Sequence, residues 1–236
     1  MSISENIADV RARIVTAALR AGRDRSAVTL MAVSKMFPAE VVREAYVAGV
    51  RVFGENRIQE FAAKADALHG LAGVEFHFIG HLQSNKAALA ADLFNAVDSI
   101  DSVKLAEKLN AEAEKLGKIL PVLIEINVGG EEAKSGVTLG SGEFARILID
   151  AERWKNLSVR GLMTVPPYTE DPKGARPYFR KLREMRDKIA ARHLPAVSLN
   201  VLSMGMSHDF EVAIEEGSTC VRLGTAIFGA RTAVQR

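Results

Sequence analysis

Residues 29–54 read TLMAVSKMFPAEVVREAYVAGVRVFG, and this stretch decides the fold. A short apolar run at residues 29–34 is followed by an amphipathic stretch at residues 38–48 and a second apolar run at residues 50–54. Short apolar runs rich in β-branched residues predict strands, and apolar residues spaced by three and four predict a helix. The segment is therefore predicted to be a strand, a helix and a second strand parallel to the first.

The same alternation continues to the C-terminus. Strands are predicted at residues 29–34, 50–54, 75–80, 95–100, 121–128, 158–165, 197–203 and 219–228. Helices are predicted at residues 38–48, 58–68, 86–93, 102–116, 141–154, 174–192 and 209–216. An extra helix is predicted at the N-terminus, because Ser2 and Glu5 have the spacing of a capping box and helical periodicity continues to Gly22.

Eight predicted strands favour a closed barrel over an open, doubly wound sheet. Several of these strands are apolar throughout, as in parallel sheets that are covered on both faces. No linker rich in Pro, Gly or Ser divides the 236 residues. We therefore expect one domain over residues 1–236, with an α/β fold of the (β/α)8 or TIM barrel type and an extra N-terminal helix.

Composition and charge argue against several classes of protein. Lys and Arg number 31 against 29 Asp and Glu, so the net charge is only +2 and nucleic acid is not an expected partner. The densest basic stretch, residues 176–192, is interleaved with acidic residues and is interpreted as a solvated helix face. The N-terminus lacks the pattern of a signal peptide, and no apolar run approaches the ~18 residues that span a bilayer.

The single cysteine, Cys220, lies in an apolar run and permits no internal disulfide. A chain without signal peptide or disulfide is expected in the reducing cytoplasm. A cysteine nucleophile has little support, and the chain has no Gly-x-Ser-x-Gly elbow of an α/β-hydrolase. His77 and His81 do not predict a zinc site, because four residues along a strand span ~13 Å.

In a β/α barrel, the functional side chains lie at the C-terminal ends of the strands. Lys35 directly follows the first apolar run, which would place its amine in the barrel mouth. Burial lowers the pKa of an ammonium group and frees the amine for Schiff-base chemistry. Taken alone, Lys35 is more simply explained as a lysine whose stem lines the barrel while its ammonium group reaches water. The residues at the other strand ends must therefore decide whether its amine is reactive.

Two late segments are predicted to hold a phosphate. They are the loop Ser203-Met-Gly-Met-Ser207 and the pair Gly224-Thr225, which follow the seventh and eighth predicted strands. Glycine permits close backbone approach, and successive N–H groups and hydroxyls can donate to an anion. The loops after the seventh and eighth strands are also the usual phosphate site of this fold.

Arg222 lies two residues before Gly224, so its side chain is predicted to point into the barrel. A buried guanidinium needs an acceptor. An aromatic ring nitrogen between the phosphate site and Lys35 would serve, and so would an ion pair with Glu55 or Glu125. The sequence alone leaves these alternatives open.

Six motifs follow one another along nearly the whole chain. They are Ala32-Val-Ser-Lys35, Phe53-Gly-Glu-Asn-Arg57 with Gln59-Glu60, His77-Phe-Ile-Gly-His-Leu-Gln-Ser-Asn-Lys86, Gly161-Leu-Met-Thr164, Leu202-Ser-Met-Gly-Met-Ser207 and Val221-Arg-Leu-Gly-Thr225. In this order the chain resembles the YggS-like pyridoxal phosphate homeostasis proteins, and more distantly the N-terminal barrel of alanine racemase.

The resemblance implies a fold type III barrel in which Lys35 forms the internal aldimine of pyridoxal 5′-phosphate. It also implies that the phosphate is surrounded by Ser203, Met204, Gly205, Gly224 and Thr225, that Arg222 faces the pyridine nitrogen, and that the pocket is lined by Asn56, His81 and Met163. Met36-Phe37 replaces the family's usual Thr-x after the lysine.

A carrier is expected rather than an enzyme. Arginine cannot pass a proton to the pyridine nitrogen, which would leave the ring a poor electron sink. Alanine racemase tolerates that arginine, but a C-terminal domain supplies its second, tyrosine base. After the last predicted strand only residues 229–236 remain, and of the three tyrosines only Tyr168 is expected near the mouth.

We therefore expect a protein that carries the cofactor as a Schiff base and buffers or delivers it inside the cell, with no catalytic residue and no metal. The alternative is a pyridoxal phosphate-dependent amino-acid racemase or a related amino-acid-transforming enzyme. The expected partners are the cofactor and apo forms of enzymes that use it, and the expected state is a monomer.

Overall fold

The structure is a computed structural model that describes residues 2–131 and 134–229. The strands in this part of the chain are β1 (Thr29–Val33), β2 (Val52–Glu55), β3 (Glu75–Phe78), β4 (Ala96–Ile100), β5 (Leu120–Asn127), β6 (Val137–Thr138), β7 (Leu157–Met163), β8 (Val197–Met206) and β9 (Cys220–Leu223). The α-helices are α1 (Ile3–Arg20), α2 (Ala39–Val47), α3 (Ile58–Leu68), α4 (Ala87–Leu93), α5 (Val103–Lys115), α6 (Gly142–Asp150), α7 (Arg176–Ala190), α8 (Phe210–Glu215) and α9 (Thr225–Phe228). Short 3-10 helices lie at Ser84–Lys86, Ala151–Arg153 and Pro172–Ala175.

Eight of the strands form a closed parallel barrel. They pair in the order β4, β3, β2, β1, β9, β8, β7, β5, and β4 also pairs with β5 to complete the ring. The two-residue strand β6 pairs with the end of β5 and lies outside the ring. Because parallel neighbours need a crossover connection, the helices between the strands cover the outside of the barrel. The predicted TIM barrel is confirmed.

Alternation along each strand separates the barrel interior from the core between barrel and helices. On β3, Phe76 and Phe78 are buried in the hydrophobic core, whereas Glu75 and His77 line the interior. Successive side chains point to opposite faces of a strand, so one strand serves both layers. Polar residues of the strands are therefore collected inside the barrel.

The predicted N-terminal helix is present as α1. Ser2 caps it by accepting from the Glu5 N–H, and the Glu5 side chain accepts from the Ser2 N–H, which completes the capping box. The buried face of α1 packs against α8 and α9, and the Asn6 side-chain amide donates to the Ile227 carbonyl at 2.8 Å. The extra helix thus supports the segment that follows the last strand.

The basic face of α7 is only partly solvated. The Glu216 carboxylate, which follows α8, lies 2.9 Å from Arg176 Nη1, 3.1 Å from Arg180 Nη2 and 3.1 Å from Arg183 Nη1. Three of the basic residues therefore converge on one buried carboxylate. Much of this charge holds α7 against the end of α8.

The end of the last strand differs from the prediction. Residues 219–228 are predicted as one strand, but the strand ends at Leu223, and Thr225–Phe228 forms a single helical turn. A short apolar run carries too few residues for its periodicity to distinguish a strand from one turn of helix. The helical turn directs its first N–H groups towards the mouth of the barrel.

The segment 203–207 also differs from the predicted glycine loop. Strand β8 continues through Met206, because Ser203 pairs with Cys220 and Met206 pairs with Arg222. Gly205 has a φ of 95°, and a Cβ there would lie 2.5 Å from the Ala213 Cβ. The glycine is therefore required for the close packing of α8 on β8 as well as by its backbone conformation.

No helix among residues 2–131 and 134–229 has the length and apolarity that crossing a bilayer requires.

Candidate functional site

Lys35 lies at the mouth of the barrel, two residues after β1 ends, and is half-buried. It lines a small cavity together with Val33, Phe37, Gly224 and Thr225. The first and last strands produce this arrangement, because β1 pairs in parallel with β9. The structure thus brings the predicted reactive lysine to one of the two predicted phosphate segments.

Ser207 joins the second phosphate segment to the first. Its hydroxyl oxygen accepts from the Gly224 N–H and the Ala226 N–H, each at 3.2 Å. Two backbone donors therefore converge on one oxygen atom beside the exposed Thr225. Converging N–H groups of this kind form an anion-binding concavity.

Ser203 and Met204 have different surroundings from the predicted ones. The Ser203 hydroxyl is fully buried and accepts from Arg222 Nη1 at 2.7 Å. The Met204 side chain is fully buried in the core between barrel and helices. Of the two serines, only Ser207 has its hydroxyl beside the N–H groups of Gly224 and Ala226.

Arg222 is almost completely buried inside the barrel, at 4% exposure. Besides the bond to Ser203, its Nη2 donates to the Thr164 carbonyl at 2.7 Å. The sequence-based alternative of an ion pair with Glu55 or Glu125 is wrong, because neither carboxylate lies within ion-pair distance in the described structure. Burial lowers the pKa of Arg222, but arginine stays protonated in proteins.

Asn56 and His81 lie on neighbouring loops after β2 and β3. The loops touch closely, since a Cβ on Gly80 would lie 2.4 Å from the Asn56 carbonyl oxygen. His81 is exposed, and its Nδ1 lies 3.1 Å from Asp101 Oδ2. Met163 is fully buried on the barrel wall, paired with Ser203 of β8. These three residues therefore do not line the small cavity at Lys35.

Sequence reasoning missed Lys64, which fixes the backbone on both sides of Lys35. The Lys64 ammonium donates to the Ser34 and Phe37 carbonyls at 2.9 Å each, and lies 2.7 Å from Glu55 Oε1. The Ser34 hydroxyl donates to the same carboxylate oxygen at 2.6 Å. We call Ser34, Glu55 and Lys64 the buried triad.

The segment that the buried triad holds is strained. Met36 has a φ of 67°, a left-handed conformation that is unfavourable for a residue with a side chain. Its N–H donates to the Glu60 carboxylate. Bonds from α3 therefore hold both Met36 and its neighbours, and the direction of the Lys35 side chain depends on α3.

Glu125 is the other buried carboxyl at this end of the barrel. It is 8% exposed, and its Oε2 has no hydrogen-bond partner in the described structure. Burial, together with the nearby charge of Asp101, raises the pKa of Glu125 to about 7, although Arg222 and His81 act in the opposite direction. Strand β5 lies four strands from β1 in either direction round the ring. Glu125 therefore occupies the wall opposite Lys35.

The described residues form neither a metal site nor a reactive thiol. Within residues 2–131 and 134–229, no three His, Cys, Asp or Glu side chains are placed to hold a metal ion. Cys220 is buried two residues before Arg222 on β9, and burial raises the pKa of its thiol to about 12. The thiol therefore stays protonated at neutral pH and is a poor nucleophile.

Comparison with known proteins adds the family. Residues 6–232 match the family described as "Alanine racemase, N-terminal domain". A pyridoxal phosphate homeostasis protein from Aquifex aeolicus is 47% identical over 232 residues, which cover 98% of this chain and 99% of that protein. The chain belongs to the alanine racemase N-terminal domain family. The family resemblance predicted from the six motifs is thus confirmed.

Solved structures of other proteins show the same barrel. PipY of Synechococcus elongatus PCC7942, described with PLP bound, is 34% identical, with a TM-score of 0.82 over 97% of this chain and all of that chain. Alanine racemase from Streptomyces coelicolor A3(2) shares the fold at 21% identity and a TM-score of 0.69, and this chain covers 58% of its length.

Removal of Lys64 should destabilise the fold strongly. Lys64→Met leaves the Glu55 carboxylate buried without its cation, which costs about 3–5 kcal/mol. Urea unfolding should report this loss, whereas Lys104→Met on the exposed face of α5 should change stability by less than about 0.5 kcal/mol. In the double variant with Glu55→Gln, the two losses should fall well short of additivity. Additive losses would show that the two side chains act independently.

Glu125 should make the stability of the cofactor-free protein fall with rising pH. A folded-state pKa raised to about 7 means that the folded protein binds the proton more tightly than the unfolded chain. The unfolding free energy is therefore highest below the unfolded pKa of about 4.3, falls as the pH rises to about 7, and is constant above it.

Glu125→Gln should remove that dependence, a difference of about 3 kcal/mol between pH 4.5 and pH 8. The measurement is the urea midpoint across this pH range, with the exposed Glu107→Gln as the matched control. A variant whose pH profile runs parallel to that of the parent would show that Glu125 has an ordinary pKa.

Proposed function

We propose that this chain carries pyridoxal 5′-phosphate as a Schiff base on Lys35 and acts in intracellular cofactor homeostasis by buffering and delivery. The relatives named above support the cofactor and the process. In this chain, one observation carries the proposal: Lys35 shares a cavity with Gly224 and Thr225, beside two backbone donors that already converge on an oxygen atom. An amine and an anion cradle at this separation suit an aldehyde that bears a phosphate.

Ser207, Gly224 and Thr225 would hold the phosphate through two hydroxyls and the N–H groups at the start of α9. The Ser207 hydroxyl would turn from acceptor to donor when phosphate oxygens take the N–H bonds of Gly224 and Ala226. Charge-assisted bonds of this type are about twice as strong as neutral ones. In the same proposal Ser203, Met204 and Gly205 contribute backbone and support, while Asn56, His81 and Met163 line the rest of the pocket.

Arg222 would face the pyridine nitrogen as a donor. Its two bonds, to the Ser203 hydroxyl and the Thr164 carbonyl, fix the guanidinium in the barrel. The bound cofactor supplies an aldehyde that condenses with amines and a ring that accepts electrons. Since an arginine keeps its own proton, it would leave the ring nitrogen unprotonated and the ring a weak electron acceptor. This arrangement favours holding the cofactor over turning substrates over.

An amino-acid racemase would need acid–base groups on two faces of the substrate carbon. Lys35 supplies one group. Tyr168 is 79% exposed, and its ring lies 5.4 Å from the His208 ring, beside the Ser207 loop. Glu125 lies on the opposite wall, buried under the mouth. Tyr168 and Glu125 are the two candidates for a second base, so variants of both are included in the test that separates carrier from enzyme.

We also propose the partners of the protein and its location in the cell. The recipients of the cofactor would be apo forms of pyridoxal phosphate enzymes in the cytoplasm. The protein itself would be a monomer with one domain over residues 1–236. The small net charge of +2 gives no reason to expect nucleic acid as a partner.

Loss of either hydroxyl should weaken cofactor binding. Ser207→Ala and Thr225→Ala each delete a charge-assisted bond worth about 1.5–3 kcal/mol, or about 10–100-fold in affinity. Ser198→Ala, at the other end of β8, is the control and should leave affinity unchanged. Pyridoxal without the phosphate should bind the parent weakly. Equal affinity for the two aldehydes would remove the phosphate cradle from the proposal.

Carrier and enzyme differ in proton exchange. Protein loaded with the cofactor is incubated with L-alanine in deuterated water, and deuterium at Cα is followed by NMR. We expect less than one exchange per bound cofactor over the time in which the same protein activates an apo aminotransferase. Rapid exchange over many turnovers, lost in Lys35→Ala, would establish an enzyme. Its further loss in Tyr168→Phe or Glu125→Gln would then identify the second base.

A further inference from the structure

A second and much larger cavity opens at the other end of the barrel, where the strands begin. Its volume is about 680 Å³, within the range of sites for small molecules. The layer between this cavity and the Lys35 mouth contains Met31, Ser203 and Arg222, which are at most 4% exposed. The two ends of the barrel are therefore separate compartments. We call this one the lower cavity.

The lower cavity has an unusual lining for this fold. The interior of a (β/α)8 barrel is normally filled by layers of bulky branched side chains. Here the lining includes the charged residues Glu75, His77, Asp98 and Arg160 as well as polar Asn200. Charged groups in a barrel interior cost stability unless they are paired. Glu75 and Arg160 are exposed, and the buried Asp98 is paired with His77. The exposed charges at the cavity are therefore accessible to a ligand.

One wall of the lower cavity carries a net negative charge. His77 Nδ1 lies 3.2 Å from Asp98 Oδ2, and His77 Nε2 lies 3.3 Å from Glu75 Oε2. Burial disfavours the imidazolium, but the two carboxylates outweigh it and raise the pKa of His77 to about 9. Two carboxylates around one cation leave this wall, on β3 and β4, with one excess negative charge at neutral pH.

Arg160 supplies the opposite charge on another wall. It lies on β7, three strands from β3 round the ring, and it is exposed at the cavity. Its side chain forms no ion pair or hydrogen bond within residues 2–131 and 134–229, but its charge is near enough to Glu75 to help lower the pKa of that carboxyl. The guanidinium is therefore available to an anionic group of a ligand.

The rest of the lining combines apolar and uncharged polar residues. The apolar part includes Val52, Ala96, Pro121, Leu123 and Val201, and the polar part is Thr29, Asn95, Asn200 and Thr219. A small molecule in this cavity would thus meet a cation on one side, a net anion on the other and a hydrocarbon surface in addition. A free α-amino acid with an aliphatic side chain has all three features.

We propose that the lower cavity is a binding site for a small aliphatic α-amino acid, with its carboxylate on Arg160 and its ammonium group on Glu75 and Asp98. His77 positions the two carboxylates by bonding to both. The proposal is independent of the cofactor site, because the residues concerned lie on the opposite side of the buried layer.

The test measures L-leucine binding by calorimetry to two forms of the protein. One form is free of cofactor; the other is loaded with pyridoxal phosphate and reduced with borohydride, so that an amine cannot react at the mouth. Both forms should bind L-leucine equally, with NMR amide shifts confined to residues around the lower cavity. 4-Methylpentanoate and 3-methylbutylamine, which each lack one charge, should bind about tenfold or more weakly.

Two variants assign the charges. Arg160→Gln should weaken L-leucine and 4-methylpentanoate by about tenfold and leave 3-methylbutylamine unchanged, whereas Glu75→Gln should show the reverse selectivity. Arg146→Gln on the surface of α6 is the control and should bind like the parent.

The proposal is overturned if L-leucine does not bind at millimolar concentrations, or if binding survives both substitutions. It is also overturned if binding disappears in the reduced form, which would place the amino acid at the Lys35 mouth. Inorganic phosphate binding at Arg160 in preference to L-leucine would make the cavity a simple anion site and would equally contradict it.

Discussion

The parallel pairing of β1 with β9 is the constraint on which the rest of this molecule depends. It closes the barrel, and its register places Met31 beside Arg222 and Ala32 beside Leu223. The residues that follow the two strands, Lys35 after β1 and Gly224 after β9, then lie side by side at the mouth. A lysine and a phosphate segment almost 190 residues apart in sequence become one site through this pairing.

The interior charges explain how the barrel tolerates a polar centre. Arg222 is satisfied by neutral oxygens of Ser203 and Thr164, and no carboxylate in the described part of the chain lies within ion-pair distance of it. That arrangement suits a site that receives an anionic, aromatic ligand, because an existing ion pair need not be broken. Glu125 has an unpartnered oxygen under the mouth. The barrel thus contains polar groups that its packing alone does not require.

Much of the fold and part of the site could be predicted from the sequence. The repeated change from short apolar runs to helical periodicity identified all eight barrel strands, and Lys35 followed from its place at the end of one. The one-turn helix after Gly224 was missed because four residues carry no period. The continuation of β8 through Gly205 was missed because a glycine between two serines resembles a turn, and its reason lies in the packing of α8 against it.

The role of Lys64 depends on tertiary contacts, yet the sequence held a signal for it. Lys64 lies on the buried face of α3 with Phe61 and Leu68, and a lysine at such a position needs a buried partner. That partner, Glu55, belongs to another element, and periodicity does not give distances between elements. The same limit left the partners of Arg222 open and concealed the charged walls of the lower cavity.

The most direct test of the account is chemical trapping at Lys35. The protein is loaded with pyridoxal phosphate, reduced with borohydride, digested and mapped by mass spectrometry. A Schiff base on Lys35 should give a single adduct on the peptide that contains Lys35, and none there in Lys35→Ala. A main adduct on Lys64, Lys86 or another lysine, or full labelling of the Lys35→Ala variant, would contradict it.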